Sequence, residues 1–230
     1  MSKELEGKVV LVTGGSRGLG AEMVRAFAAE GAHVAIASRK LASCEELAAE
    51  VGARHGVRAL PVACNVSHWD ECDALAETVY AEFGAVDVLV NNAGLSPLYP
   101  SLDQVTEELF DKVIGVNLRG PFRLAALIGT RMAEGDGGAI INIGSIEAIR
   151  PQPGALPYAA AKAGLHVLSE GLRTVPDFVS EREQTRVFTE CGPLPGRAPG
   201  LTGPGRRRRC GWRRAGPGVS ACKIMFYVQQ

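Results

Sequence analysis

Short apolar runs alternate along the first three quarters of this chain with longer stretches in which apolar residues recur every three or four positions. The runs at Val9 to Thr13, His33 to Ser38, Arg58 to Cys64, Val86 to Val90 and Ala139 to Gly144 predict five strands. The stretches Gly18 to Glu30, Ala42 to His55, Trp69 to Phe83, Glu107 to Met132 and Tyr158 to about Arg173 predict helices between and after them. Strands such as VLVN are apolar on both faces, which fits a parallel sheet covered by helices on each side. Alternation of strand and helix is what right-handed crossovers in such a sheet require, so the expected class is α/β. Gly14, Asn65, Asn91 and Ser145 all fall at the carboxyl ends of strands, where sheets of this kind bind ligands.

After about residue 172 the pattern stops. The stretch GPLPGRAPGLTGPGRRRRCGWRRAGPG crowds Gly, Pro and Arg without apolar periodicity, so 1–172 is expected to be one domain and 173–230 a disordered tail. The abrupt change reads as out-of-frame or alternatively spliced sequence. Arginines 206–209 beside Trp212 raise a second reading, phosphate and base contact with nucleic acid, but the chain's 25 Lys and Arg are balanced by 25 Asp and Glu. A tail of solvated arginines is the more economical account.

With 230 residues of which 46% are hydrophobic, the chain is large enough to bury one substantial core. Six cysteines (44, 64, 72, 191, 210 and 222) show no metal-ligand spacing, and neither do the four histidines. No metal site is expected, and the cysteines read as reduced thiols. No apolar run reaches the eighteen or so residues of a membrane span. A cytoplasmic protein with no membrane partner is expected.

Two patterns carry chemistry. Val9 to Val12 leads into a glycine-rich turn and then a helix. There Gly14 suits a tight turn, Gly18 lets backbone approach a pyrophosphate, and Gly20 lets the helix pack on its strand. Further on, Tyr158 and Lys162 stand four residues apart on one helix face, thirteen residues after Ser145 closes the run AIINIGS. An ammonium about 5 Å from a phenol, at an effective dielectric near 20, favours the phenolate by roughly 3 kcal/mol, or about two pKa units. The trio can trade a proton with a bound oxygen.

TGGSRGLG at 13–20, NNAG at 91–94, Asn117 in GVNLRG, Ser145 and YAAAK at 158–162 together resemble the short-chain dehydrogenase/reductase family over residues 5–171. The resemblance implies a Rossmann-type, doubly wound parallel sheet and hydride transfer between a nicotinamide and a carbonyl or secondary alcohol. It implies catalytic roles for Asn117, Ser145, Tyr158 and Lys162, with Tyr158 exchanging the proton. It also implies cofactor contacts from Gly14, Ser16, Arg17, Gly18, Leu19, Gly20, Asn65, Val66, Asn91, Ala93 and Gly94, together with Tyr158 and Lys162. Asn65 stands where the family leads one to expect an aspartate. A sixth strand, a nicotinamide-covering loop and a seventh strand would normally follow, and the C-terminal strands are expected to be missing.

An NAD enzyme of this kind places an acid after the second strand, whereas a 2′-phosphate wants cations. Ser38, Arg39 and Lys40 stand there, so NADP(H) is expected before NAD(H). The substrate is a small carbonyl or alcohol, for example a small ketone or a 3-oxoacyl thioester. The resemblance also implies a homo-oligomer built through the two long helices. The alternative is a catalytically defective relative that keeps part of the cofactor cleft without turnover.

Overall fold

The computed structural model describes residues 5–175 and 222–229. Six parallel strands form one sheet: β1 (Val9–Thr13), β2 (His33–Ser38), β3 (Ala59–Ala63), β4 (Val88–Asn91), β5 (Gly138–Ser145) and β6 (Cys222–Gln229), in the order β3-β2-β1-β4-β5-β6. Between them run α1 (Gly18–Ala29), α2 (Leu41–His55), α3 (Trp69–Phe83), α4 (Glu107–Ile114), α5 (Gly120–Glu134) and α6 (Leu156–Leu172). The chain winds outward from β1 to β3, then returns to the far side of β1 as β4. The strand order therefore reverses between β1 and β4, and a crevice opens beyond their carboxyl ends.

The pleat explains why the central strands are apolar at successive positions. Leu11 and Leu89 point to one face, where they join Leu75, Leu124, Ile128 and Ile140 in a core covered by α3 and α5. Val10, Val12, Ile36 and Val90 point to the other, against Val24 of α1 and Leu47 of α2. Both layers are closed, and Leu11, Ile36, Leu89 and Ile140 have no solvent exposure.

The single helix expected over 107–132 is interrupted. Residues 115–119 form a turn of π-helix, in which the Gly120 N–H reaches Gly115 O. Two sequence features account for it. Pro121 has no N–H to give to the Asn117 carbonyl, and the Asn117 side chain donates to Val113 O at 2.9 Å from within the helix. The interruption turns Asn117 toward the crevice.

α6 starts at Leu156 with Pro157 in its first turn, where a missing N–H is harmless, so it begins two residues before the expected start at Tyr158. It ends at Leu172. The expectation of a disordered tail falls largely on 176–221, outside the described residues. Where the sequence pattern left β5 as an open edge, the structure places 222–229 alongside it, with pairs from Gly138↔Cys222 to Ser145↔Gln229. The run CKIMFYVQ is rich in β-branched and aromatic residues. The Gly-, Pro- and Arg-rich stretch before it masks this pattern in the sequence.

Among the described residues, Cys44, Cys64 and Cys72 are free and buried. No group of three or more His, Cys, Asp or Glu among them could hold a metal ion. No described helix is long and apolar enough to cross a membrane. Phe110 on α4, Phe122 on α5 and Val167 on α6 are exposed apolar side chains on the helices expected to mediate assembly.

Candidate functional site

The crevice at the β1/β4 reversal is assembled from three loops. The first follows β1, where Gly14 has φ +62 and Gly18 φ +55, conformations that favour glycine. A Cβ on Gly14 would lie 2.9 Å from the Ala93 Cα, and one on Gly20 would lie 2.2 Å from Gly14 O. Gly14 therefore admits the second loop, and Gly20 admits the turn itself. A Cβ on Gly18 would meet nothing within 4 Å, so that glycine faces open space. Arg17 is the exposed N-cap of α1, and no side chain caps this terminus. This is a cradle in which helix N–H groups and the positive end of a helix dipole face outward beside Gly18, as an anion requires.

The second loop follows β4. Asn92 Nδ2 donates to Thr13 O at 2.9 Å and to Gly14 O at 3.1 Å, while Thr13 Oγ1 accepts from the N–H groups of Asn92 and Ala93, both at 3.1 Å. This staple sets the glycine turn against 92–94. Neither Thr13 nor Asn92 was among the expected site residues, although both lie inside the quoted motifs. Asn91 was expected to contact the cofactor, but its side chain turns inside. It is 2% exposed, and its Nδ2 donates to Asn142 Oδ1 at 2.9 Å. An aspect of β pleating explains the difference, since consecutive residues leave a strand on opposite faces.

The third loop follows β5 and leads into α6. Ser145 ends the strand, 6% exposed, and its Oγ accepts from the Glu147 N–H at 3.2 Å, which leaves the hydroxyl proton to be given away. Lys162 is 3% exposed, its Nζ donates to Ile143 O at 2.7 Å, and the same atom stands 5.7 Å from the centre of the half-buried Tyr158 ring. Asn117 is fully buried; it accepts from Leu95 N at 3.3 Å and donates to Leu95 O at 2.8 Å. A Cβ on Gly94 would lie 3.1 Å from Asn117 Oδ1 and 3.8 Å from Lys162 Nζ. Asn117 and Lys162 thus meet around Gly94, and Ser145, Tyr158 and Lys162 flank the end of β5.

The other expected contacts are less uniform. Val66 is buried in the apolar core, with its carbonyl pressed on Gly120, so only backbone is left to face a ligand there. Asn65 spends its Oδ1 on Ser67 N and Ser67 Oγ, at 3.3 and 2.9 Å, and its N–H on Glu71. Ser16 and Leu19 are half-buried in the glycine turn. Ser38 Oγ lies 3.1 Å from Cys44 Sγ and donates to Lys40 O at 3.3 Å, whereas Arg39 and Lys40 are exposed. Arg39 lines an open cavity of about 530 Å³ with Leu95, Ser96 and Pro97 after β4 and Thr106, Glu108, Leu109 and Lys112 of the α4 region. Nothing in the pattern of α4 marks Lys112 out.

Burial pushes the Lys162 ammonium from an ordinary 10.5 down to about 8. Between pH 8 and 10.5 the unfolded chain holds this proton and the folded one does not, so stability rises with pH through that window. Below it both forms are charged, and the folded state bears the full cost of about 3 kcal/mol. Urea midpoints of the parent are expected to gain on those of Lys162→Met as pH is raised from 8 to 10.5. Parallel curves would show that the ammonium is not desolvated as the structure has it.

The model for the short chain dehydrogenase family matches residues 8–175. This chain belongs to the short-chain dehydrogenase/reductase family. It is 37% identical to the D-threitol dehydrogenase of Mycolicibacterium smegmatis over 168 residues, 73% of this chain and 64% of that protein. It is 32% identical to human dehydrogenase/reductase SDR family member 4 over 168 residues, 73% of this chain and 60% of the relative. The L-sorbose reductase of Gluconobacter frateurii, solved with NADPH and L-sorbose, superposes with a TM-score of 0.72 at 34% identity, covering 76% of this chain and 66% of that one. A metagenomic short-chain oxidoreductase solved with NADP gives 0.71 at 36% identity, covering 74% and 76%. The chain thus spans under two thirds of the length of the D-threitol dehydrogenase and of the human relative. The fold is the Rossmann-type sheet of the family, and the family is one of oxidoreductases.

Proposed function

We propose that this site transfers a hydride between NADP(H) and the carbonyl or secondary-alcohol carbon of a small molecule. The observation that carries the reading is the buried Lys162 ammonium, which is held on Ile143 O of β5 and sits beside Tyr158, while Ser145 ends the same strand with a hydroxyl proton to give. A bound nicotinamide would supply or accept the hydride. The chain's own groups handle the oxygen: the Ser145 hydroxyl donates to it, and the Tyr158 hydroxyl gives its proton to the nascent alkoxide. Lys162, anchored on Ile143 O beside the Tyr158 ring, is placed to hold a ribose hydroxyl. Asn117 shapes this end of the crevice through both Leu95 backbone groups.

The glycine turn fits a pyrophosphate, because Gly18 faces open space at the start of α1 while Gly14 and Gly20 let the turn close tightly behind it. Preference for the 2′-phosphate rests on the exposed Arg39 and Lys40, with Lys112 across the same cavity as Arg39. Arg39→Asp is expected to weaken NADPH binding about tenfold and tighten NADH, read as the ratio of dissociation constants. An unchanged ratio removes Arg39 from the assignment.

The D-threitol dehydrogenase and the L-sorbose reductase are named for polyhydroxylated substrates. A polyol or ketose therefore heads the candidates, ahead of a small ketone or a 3-oxoacyl thioester. Turnover of such a panel with NADPH and NADP tests the proposal. Binding of NADPH without turnover of any member favours the catalytically defective relative.

A further inference from the structure

Tyr99 belongs to none of the family motifs, yet it connects two of the loops that wall the crevice. It lies on the segment between β4 and α4, and its hydroxyl makes two hydrogen bonds to residues far along the chain. It donates to Pro153 O at 2.6 Å and accepts from Leu156 N at 3.0 Å. Leu156 is the first residue of α6 and Tyr158 the third.

The first turn of a helix leaves its N–H groups without partners inside the helix. At α6 the N-cap residue is Ala155, whose side chain cannot accept, and Pro157 has no N–H to satisfy. The Leu156 donor is instead met by a phenol from another loop. The remaining end of the same turn is held from the strand side, where Glu147 Oε2 accepts from Gln152 N at 2.7 Å and Ser145 Oγ accepts from Glu147 N at 3.2 Å. The 152–156 turn is therefore pinned at Gln152 through Glu147 and Ser145, and at Pro153 and Leu156 through Tyr99.

We propose that Tyr99 is a positioning residue: its hydroxyl caps α6 from outside the helix, ties the 95–101 loop to the 152–156 turn, and thereby sets where the Tyr158 hydroxyl stands relative to Ser145. The positioning role rests on the oxidoreductase reading; the cap does not. A helix whose first turn is released shifts its third residue easily, and displacement of a reacting group by about 1 Å costs up to about a hundredfold in rate.

Tyr99→Phe removes only the hydroxyl. Amide hydrogen exchange in residues 152–160, followed by mass spectrometry, is expected to quicken about tenfold. The kcat for carbonyl reduction is expected to fall about tenfold, while the KM for NADPH and the NADPH-dependent rise in melting temperature stay as in the parent. Unchanged exchange overturns the proposal, as does faster exchange with an unchanged kcat. Loss of NADPH binding together with kcat also overturns it, because general damage then explains the rate. A parent that turns over no member of the substrate panel counts against the oxidoreductase reading, and the exchange measurement alone then decides for or against the cap.

Discussion

Tyr158→Phe is expected to lower kcat for carbonyl reduction about a thousandfold while leaving the NADPH-induced rise in melting temperature intact. The phenyl ring keeps the packing of the parent residue at the start of α6, and Lys162 keeps its bond to Ile143 O. Only the proton donor is gone. General acid catalysis of this kind is worth about 10² to 10⁴ in rate, and a thousandfold corresponds to about 4 kcal/mol of transition-state stabilisation. Ser145 remains to polarise the carbonyl, so the loss is not total. A variant within about threefold of the parent would remove Tyr158 from the proton path, and a lost melting shift would mean that the ring supports cofactor binding rather than chemistry.

The second large effect is expected from a single methyl group. A Cβ at position 20 would stand 2.2 Å from Gly14 O and 2.6 Å from Asn92 Nδ2. Neither neighbour can retreat, since Gly14 packs so close to the second loop that a Cβ there would lie 2.9 Å from the Ala93 Cα, and Asn92 is hydrogen-bonded to both Thr13 O and Gly14 O. Gly20→Ala should therefore cost about 3 kcal/mol, lower the melting temperature by about 10 °C, and abolish the NADPH-induced shift. Gly52→Ala makes the comparison. It sits inside α2, where a Cβ would stand an ordinary 3.6 Å from Val57 O, and should gain about 0.5 to 1 kcal/mol from the helix preference of alanine. A Gly20→Ala protein that melts with the parent and still responds to NADPH would contradict the packing described for the turn.

Much of this molecule is legible before any coordinates. Strands buried on both faces announce themselves as apolar runs, and the observed β1 and β2 match the expected limits because β1 is buried throughout and β2 at all but its two ends. Backbone-driven features are equally readable, since the glycines of TGGSRGLG stand where φ is positive or where no Cβ fits. What escapes is set by partners distant in sequence. The role of the Asn117 amide, which bridges both backbone groups of Leu95, depends on a partner 22 residues earlier. The inward turn of Asn91 depends on which strand lies beside it, and Tyr99 acquires its role from residues more than fifty positions away. No periodicity records such pairings. β6 was hidden differently, by a composition before it that resembles no folded segment.

Asn91 and Asn142 face each other across β4 and β5, and Asn142 Nδ2 passes the bond on to Ser169 Oγ of α6 at 2.8 Å, which itself donates to Leu165 O at 2.8 Å. Asn91 Oδ1 is buried without a hydrogen-bond partner. Such a row tolerates change in only two ways. Replacing one member strands its neighbours in the interior at about 1 to 3 kcal/mol each, whereas replacing all of them with apolar side chains of similar shape costs little. Changes at positions 91, 142 and 169 are thus expected to be tolerated only in concert, whereas volume-conserving apolar exchanges around them should cost under about 1.5 kcal/mol one at a time.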